Sequence, residues 1–373
     1  MYPSRYVLVT MRRVVPSMSA AGRILETETS GVRMTTAIDT GHPLPPESRL
    51  ASTVRETSNS GGVTIRAAAH RRVGESELRV FPLAISGNVF GWTAETNATN
   101  GILDNYAADG GNFIDTADSY AGGRSEIMIG NWMRDRRNRA EMVVATKVGK
   151  SADHPGLSAR SLTNAVHASL ERLRTGYIDL LYLHIDDESV PFEETLFAVD
   201  ELIRAGKVRY FGVSDHTGNR LIEARVASAQ MGVAPMAALQ NHYNLMHRGE
   251  YEGDLARVAD RQGLGVMPRF SLASGFLTGK YRSRADLAKN ERGGEVSRYL
   301  GRRGARVLAV LDRVAAAHEV PVGAIALAWL LSKPHVVAPV ASASRPEQVA
   351  DLTAAAGVQL TRAQIAELDR VSA

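Results

Sequence analysis

Short, continuously apolar runs alternate with amphipathic segments of helical period along most of this chain, and that alternation restricts its folds more than any other feature. The apolar runs are LAIS (83–86), NFID (112–115), MVVATK (142–147), IDLLYLH (178–184), VRYFGVS (208–214), AALQ (237–240), GVMP (265–268) and VVAPV (336–340). Between them lie helical patterns such as SARSLTNAVHASLERLRTG and PFEETLFAVDELIRAGK. The second places Pro191 at its first turn and Gly206 at its end, as helix termini prefer. Strands without a polar face need cover on both sides, which means a parallel sheet clothed by helices. Eight such units fit the ~250 residues of a (β/α)8 TIM barrel. The rival doubly wound sheet would carry a G-x-G-x-x-G turn after its first strand, where this chain has ISGNVFGWT. Ahead of the first unit, HRRVGESELRVFPLAIS gives two short strand-like runs around Gly74-Glu75-Ser76, a β-hairpin signal.

Residues 1–68 read differently. They are rich in Ser, Thr, Pro and Gly and hold no sustained hydrophobic period, so a disordered tail is expected there and the barrel domain over 69–373. YVLVT is too short for the apolar centre of a secretory signal; a transit peptide and a true start nearer Met34 are the other readings. The 44% hydrophobic content suffices for a large core. The net charge of +4 is not gathered into a basic run, so it suits a phosphorylated cofactor and gives no nucleic-acid footprint. Without cysteine the chain forms neither disulfides nor thiolate metal sites, which fits a cytoplasmic location. No apolar stretch approaches the ~20 residues that span a membrane, and nothing in the sequence fixes an oligomeric state.

Chemistry in a barrel sits at the C-terminal ends of the strands. Asp115 ends the second run, Tyr120 follows in its loop, Lys147 ends the third and His184 ends the fourth. Each has a plain alternative: Asp115 as a helix cap, Lys147 pointing to solvent, His184 as a satisfied near-core histidine. Three successive apolar strands ending in ionisable groups are harder to explain that way, because burying such groups without partners costs several kcal/mol each. Together the four suggest proton transfer. A phenol of ordinary pKa ~10 is a weak acid, an adjacent ammonium stabilises its phenolate, and a carboxylate holds the ammonium. His184 would then hydrogen-bond a substrate oxygen. A metal-dependent hydrolase using Asp115, Asp118 and His184 is the poorer reading, since Lys147 would stand among the ligands; no metal site is assigned.

With these residues in view, the chain from about residue 69 onward resembles the aldo-keto reductases, in the branch that includes potassium-channel β-subunits and many bacterial reductases. The resemblance rests on GGNFIDTADSYAGGRSE, VVATKVG, YIDLLYLHIDD, AGKVRYFGVSD, LQNHYNLMHR and SLASGFLTGKY. It implies a catalytic tetrad of Asp115, Tyr120, Lys147 and His184, with Tyr120 as general acid in the reduction of an aldehyde or ketone by NADPH. It also implies NADP(H) lying extended across the barrel mouth, and an N-terminal hairpin closing the floor. By the same resemblance Ser214, Asp215 and Gln240 stand at the nicotinamide carboxamide, and Ser271, Leu272, Ala273, Gly275 and Lys280 at the pyrophosphate. Ser344, Arg345 and Gln348 stand at the adenosine and 2′-phosphate end. The channel β-subunits supply an alternative from another class, an NADP(H)-binding regulatory module.

Three positions depart from the family's pattern. Asp215 replaces an Asn and cannot donate when ionised. Leu352, next to Asp351, stands where an Asn often meets adenine. Arg269 occupies the place of an aromatic ring stacked on the nicotinamide. Three roles are open to Arg269: lying against the ring and disfavouring its oxidised, cationic form; holding an anionic substrate; or pairing with a nearby acid. Phe90 and Trp92 in GNVFGWT are candidate substrate walls, or plain packing, and the basic loop 282–304 is a candidate cover for the cofactor.

Overall fold

A computed structural model describes residues 69–289 and 293–373; the expected tail over 1–68 lies outside the described residues. Ten strands are present among the described residues. They are β1 (Arg71–Arg72), β2 (Arg79–Val80), β3 (Ala84–Ser86), β4 (Phe113–Asp115), β5 (Val143–Val148), β6 (Ile178–Leu183), β7 (Val208–Ser214), β8 (Ala238–Gln240), β9 (Gly265–Val266) and β10 (Val340–Ala341). β3 to β10 form one parallel sheet of eight strands in the order β10-β3-β4-β5-β6-β7-β8-β9, with helices between successive strands, which fits a (β/α)8 fold.

The eighth strand is shorter than its apolar run because Pro339 has no N–H to give to a ladder. The run still joins the two edges of the sheet. Val337 N donates to Val266 O at 2.9 Å and Val340 N to Pro268 O at 2.8 Å, while Ala84 N donates to Pro339 O at 2.9 Å.

Both helical patterns quoted above are helices. Ala159–Leu173 starts at Ser158, whose hydroxyl accepts from Ser161 N, and buries Leu162, Val166, Leu170 and Leu173 on one stripe. Phe192–Arg204 has Pro191 one position before its first residue and buries Leu196, Val199 and Leu202. Such stripes pack on the outward residues of the strands, among them Ile85, Ile114, Val144, Leu181, Val213 and Leu239, to make the larger core.

The inward residues make a second core. Ala84, Phe113, Val143, Ala145, Leu180, Tyr182, Ala238 and Met267 cluster with Val73, Leu78 and Val80 of the β1–β2 hairpin, which therefore fills one end of the sheet's interior. Its turn needs glycine: Gly74 has φ +52°, and a Cβ there would stand 2.5 Å from Ala237 O.

Side chains alternate along a strand with period two. Two residues beyond Ala84, Phe113, Ala145, Tyr182, Ala238 and Met267 stand Ser86, Asp115, Lys147, His184, Gln240 and Arg269. Each continues the inward row. The row is apolar over the hairpin and polar at the opposite end, so the strand direction itself gathers polar groups at one mouth.

Candidate active site

Lys147 and Asp115 lie at the bottom of that mouth, each 1% exposed, with Nζ 2.6 Å from Asp115 Oδ1. The ammonium also donates to Thr116 O at 2.8 Å and approaches Tyr120 Oη at 3.4 Å. Gln240 Nε2 donates to Asp115 Oδ2 at 2.8 Å, so both carboxylate oxygens are held. Burial alone would depress the lysine's pKa, but Asp115 and Tyr120 outweigh it and the net direction is upward. The lysine is a fixed cation.

Tyr120 meets His184 edge-on, with ring centroids 6.1 Å apart. Burial raises the phenol's pKa and Asp115 adds to the rise, while Lys147 and Arg269 pull against it; the net direction is upward. The ammonium of Lys147, the partner legible in sequence, would alone lower the value; burial outweighs it. A buried phenol keeps its proton, as a proton donor must. Burial, followed by the charges of Lys147, Lys150 and Arg269, pushes His184 down to about 2, so its ring is neutral through the working range. Its Nδ1 is shielded from solvent and has no hydrogen-bond partner among the described residues.

The segment Phe113–Glu126 is built to present Tyr120. Thr116 Oγ1 and Ser125 Oγ share a hydrogen bond of 2.8 Å, and Ser125 Oγ donates to Gly87 O at 2.8 Å. Ala121, Gly122 and Gly123 all have positive φ, turning the chain sharply into the helix Arg124–Arg136. In that helix's first turn buried Glu126 accepts from Thr146 Oγ1 and Arg172 Nε, both at 2.6 Å. The turn is clamped to β5 and to the next helix.

The mouth opens into a cleft of about 1080 Å³, whose lining includes Asp115, Tyr120, His184 and Gln240 together with Ser344, Arg345 and Gln348. Asp215, Arg269, Ser271, Leu272, Gly275 and Lys280 line it as well. A groove of this size with a few convergent polar groups is the ordinary form of a small-molecule site.

The profile of the aldo/keto reductase family matches residues 86–373. The chain belongs to that family. It is 32% identical to an aryl-alcohol dehydrogenase of Pestalotiopsis microspora over 323 residues, 81% of each chain. It is 31% identical to norsolorinic acid reductase of Aspergillus flavus over 322 residues, 80% of each chain, and 33% identical to an aldo-keto reductase of Aspergillus calidoustus over 318 residues, 79% of each. The family's members are oxidoreductases of small carbonyl compounds and alcohols that generally use a nicotinamide cofactor.

Within this aldo/keto reductase the expected cofactor residues divide by what they already touch. Ser214 is buried at the end of β7 with no partner for its Oγ among the described residues. Asp215, at φ +60°, accepts from Arg269 Nε at 3.0 Å and Nη2 at 2.9 Å. Of the three roles open to Arg269, the described residues realise pairing with an acid, and the pair bridges the ends of β7 and the loop after β9. Ser271 Oγ donates to Pro268 O, while Ala273 is buried beneath the cleft with φ +49° and is not part of its lining. Gln348 Oε1 accepts from Ser344 N at 2.8 Å and Arg345 N at 3.2 Å, as the reaching-back side chain of a capping box does.

Two further expectations divide likewise. Trp92 is exposed and lines the cleft, whereas Phe90 is fully buried and is packing. No described residue of 282–304 reaches the cleft lining.

Sequence reasoning passed over Asn241 and Lys150. Asn241 is 4% exposed at the end of β8, and neither its Oδ1 nor its Nδ2 has a partner among the described residues. A buried unsatisfied amide is costly, about 1–3 kcal/mol. The signal was present as a polar residue directly after Gln240, but its facing is invisible without the neighbouring loop. Lys150 lines the cleft just past β5.

Asp118 supplies a pH prediction. Burial, then Glu126, raise its carboxyl from 3.8 to about 7, and Arg172 offsets only part of this. The folded state thus binds this proton more tightly than the unfolded chain. The resulting stability is full below the unfolded pKa and is lost as pH rises through about 7. Asp118→Asn, neutral at every pH, should gain ~2–3 kcal/mol on wild type between pH 5 and pH 8. Urea unfolding at both values measures it; parallel pH curves would contradict the assignment.

Proposed function

We propose that this aldo/keto reductase is an NADP(H)-dependent enzyme that reduces an aldehyde or ketone, with Tyr120 as the proton donor. The observation that carries the reading is the Lys147 ammonium, fixed by Asp115 at 2.6 Å and lying 3.4 Å from Tyr120 Oη at the floor of an open cleft.

Groups in and next to the cleft fit the cofactor. Ser214 Oγ and both ends of Asn241, next in sequence to the lining residues Asp215 and Gln240, are buried polar atoms without partners among the described residues, suited to a carboxamide that donates and accepts. Lys280, Ser271 and the backbone around Gly275 suit a pyrophosphate, and exposed Arg345 beside Ser344 suits a 2′-phosphate. When bound, the reduced nicotinamide supplies the hydride that the carbonyl carbon takes up.

The residues of the chain do the rest. As the carbonyl π bond breaks, its oxygen takes the proton from Tyr120 Oη. The phenolate left behind is stabilised by Lys147, and Asp115 and Gln240 keep the ammonium from moving. Neutral His184 hydrogen-bonds the same oxygen and orients it. Because Asp215 neutralises Arg269, the oxidised and reduced cofactors meet little net charge from that position.

Tyr120→Phe keeps the ring and removes the proton. Carbonyl reduction should fall at least ~100-fold while NADPH still binds, read by NADPH absorbance and by fluorescence titration on a panel of aldehydes and ketones. Near-normal turnover would sink the assignment, and a single cofactor oxidation without turnover in wild type would favour the regulatory module instead. In the same titration Arg345→Ala should weaken NADPH much more than NADH; equal losses would leave Arg345 a structural residue.

A further inference from the structure

Beside the cleft, the loop after β8 brings together three metal-binding side chains that no step above uses. His242 and His247 stack face to face, with centroids 3.7 Å apart and planes 11° apart. Glu250 Oε1 stands 2.9 Å from His247 Nε2. His242 Nε2 is shielded from solvent and has no hydrogen-bond partner among the described residues. One ligand atom from each of the three lies within 4.8 Å of the others.

The loop is held in this shape by its own backbone. His247 N donates to Asn244 O at 2.9 Å and Asn244 N to His247 O at 3.1 Å, closing a tight turn that folds one histidine over the other. His242 is tied to the next strand's extension by its bridge to Arg269, and its ring lies 5.0 Å from that of Phe270. The loop thus keeps the two imidazoles adjacent.

We propose that His242, His247 and Glu250 form a binding site for a divalent transition-metal ion, of which Zn2+ is the representative. Two imidazoles and a carboxylate suit zinc and its neighbours and not the all-oxygen ions calcium and magnesium. Three protein ligands leave the fourth position of a tetrahedron to water. Ligand atoms ~2.0–2.1 Å from a zinc ion stand about 3.4 Å from one another, and because each imidazole lone pair lies in its ring plane, the two stacked rings must swing out of parallel to share the ion.

The ligand form is also the resting form of His242: burial, then His247 and Arg269, push its pKa to about 4, leaving the ring neutral. The charges facing the site are mixed. Glu250 attracts a cation, Arg298 opposes it, and Arg269 is already neutralised by Asp215. This inference rests on neither the cofactor nor the reaction proposed above.

The test uses the full, untagged chain, stripped with a chelator and dialysed against ZnCl2, with bound zinc quantified and affinity read by calorimetry. One zinc per chain is expected, with affinity at least ~tenfold weaker in His242→Ala and in His247→Ala, a change of ~1.4 kcal/mol each. Thermal melts of the metal-free variants check that they fold, and His247→Cys, which restores a zinc ligand, should recover binding. Co2+ in place of Zn2+ should give a visible absorption band that His247→Ala abolishes. Saturable binding unchanged in both histidine variants would place the metal elsewhere on the chain and overturn the proposal. So would the absence of stoichiometric binding, which would leave an ordinary His–Glu contact.

Discussion

A lysine and an aspartate, both withdrawn from water at the floor of the cleft, set the terms for the rest of the structure. Taking either ion out of water alone costs several kcal/mol, and their attraction offsets this only when the remaining donors and acceptors are also satisfied. Here they are: Lys147 reaches Asp115, Thr116 O and Tyr120, and Asp115 receives Gln240 on its other oxygen. That network draws on β4, β5 and β8 and on the loop holding Tyr120, so it exists only when four separate parts of the chain are in register. Asp115 pairs with Ser86 on one side and Ala145 on the other, and Lys147 with Tyr182, which fixes the relative heights of the groups.

Around this pair the inward row changes character within one step of each strand. Below it the row is apolar and sealed by the hairpin; above it lie Ser86, His184, Gln240 and Arg269. The same residues that exclude water from the ion pair therefore leave the phenol of Tyr120 at the boundary, half-buried and open to a substrate. Dry surroundings strengthen the field of the ammonium at that oxygen. Asp215 and Arg269 cancel each other, and the other cations of the cleft lining are Lys150, Lys280 and Arg345.

Much of this was readable from residue order. The eight apolar runs became the eight strands of the sheet, and Gly74 marked the hairpin turn, because burial on both faces and positive φ leave plain traces in sequence. Asp115, Lys147 and His184 stood out as ionisable ends of apolar strands, and the structure brings them together with Tyr120. The last strand was drawn too long, since one proline outweighs the four valines and alanines around it. The direction of the Tyr120 shift was also missed: the ammonium can be named from sequence, whereas the depth of burial that outweighs it cannot. Pairs such as Arg269 with Asp215, 54 residues apart, and stacked His242 and His247 depend on how loops lean, which periodicity does not encode. Phe90 and Trp92 make the same point, two aromatics in one short motif with one in the core and the other at the rim.

The central claim is that the buried pair acts on the reaction through Tyr120 and not beside it. A double-mutant cycle on single-turnover carbonyl reduction tests this directly. Lys147→Met with Asp115→Asn removes both charges at once, leaving no lone ion in the core, and is measured with and without Tyr120→Phe. If the account holds, replacing the pair slows the wild type strongly but slows the Tyr120→Phe enzyme by less than about threefold, a coupled loss. Independent losses, multiplying in full when the two changes are combined, would contradict it.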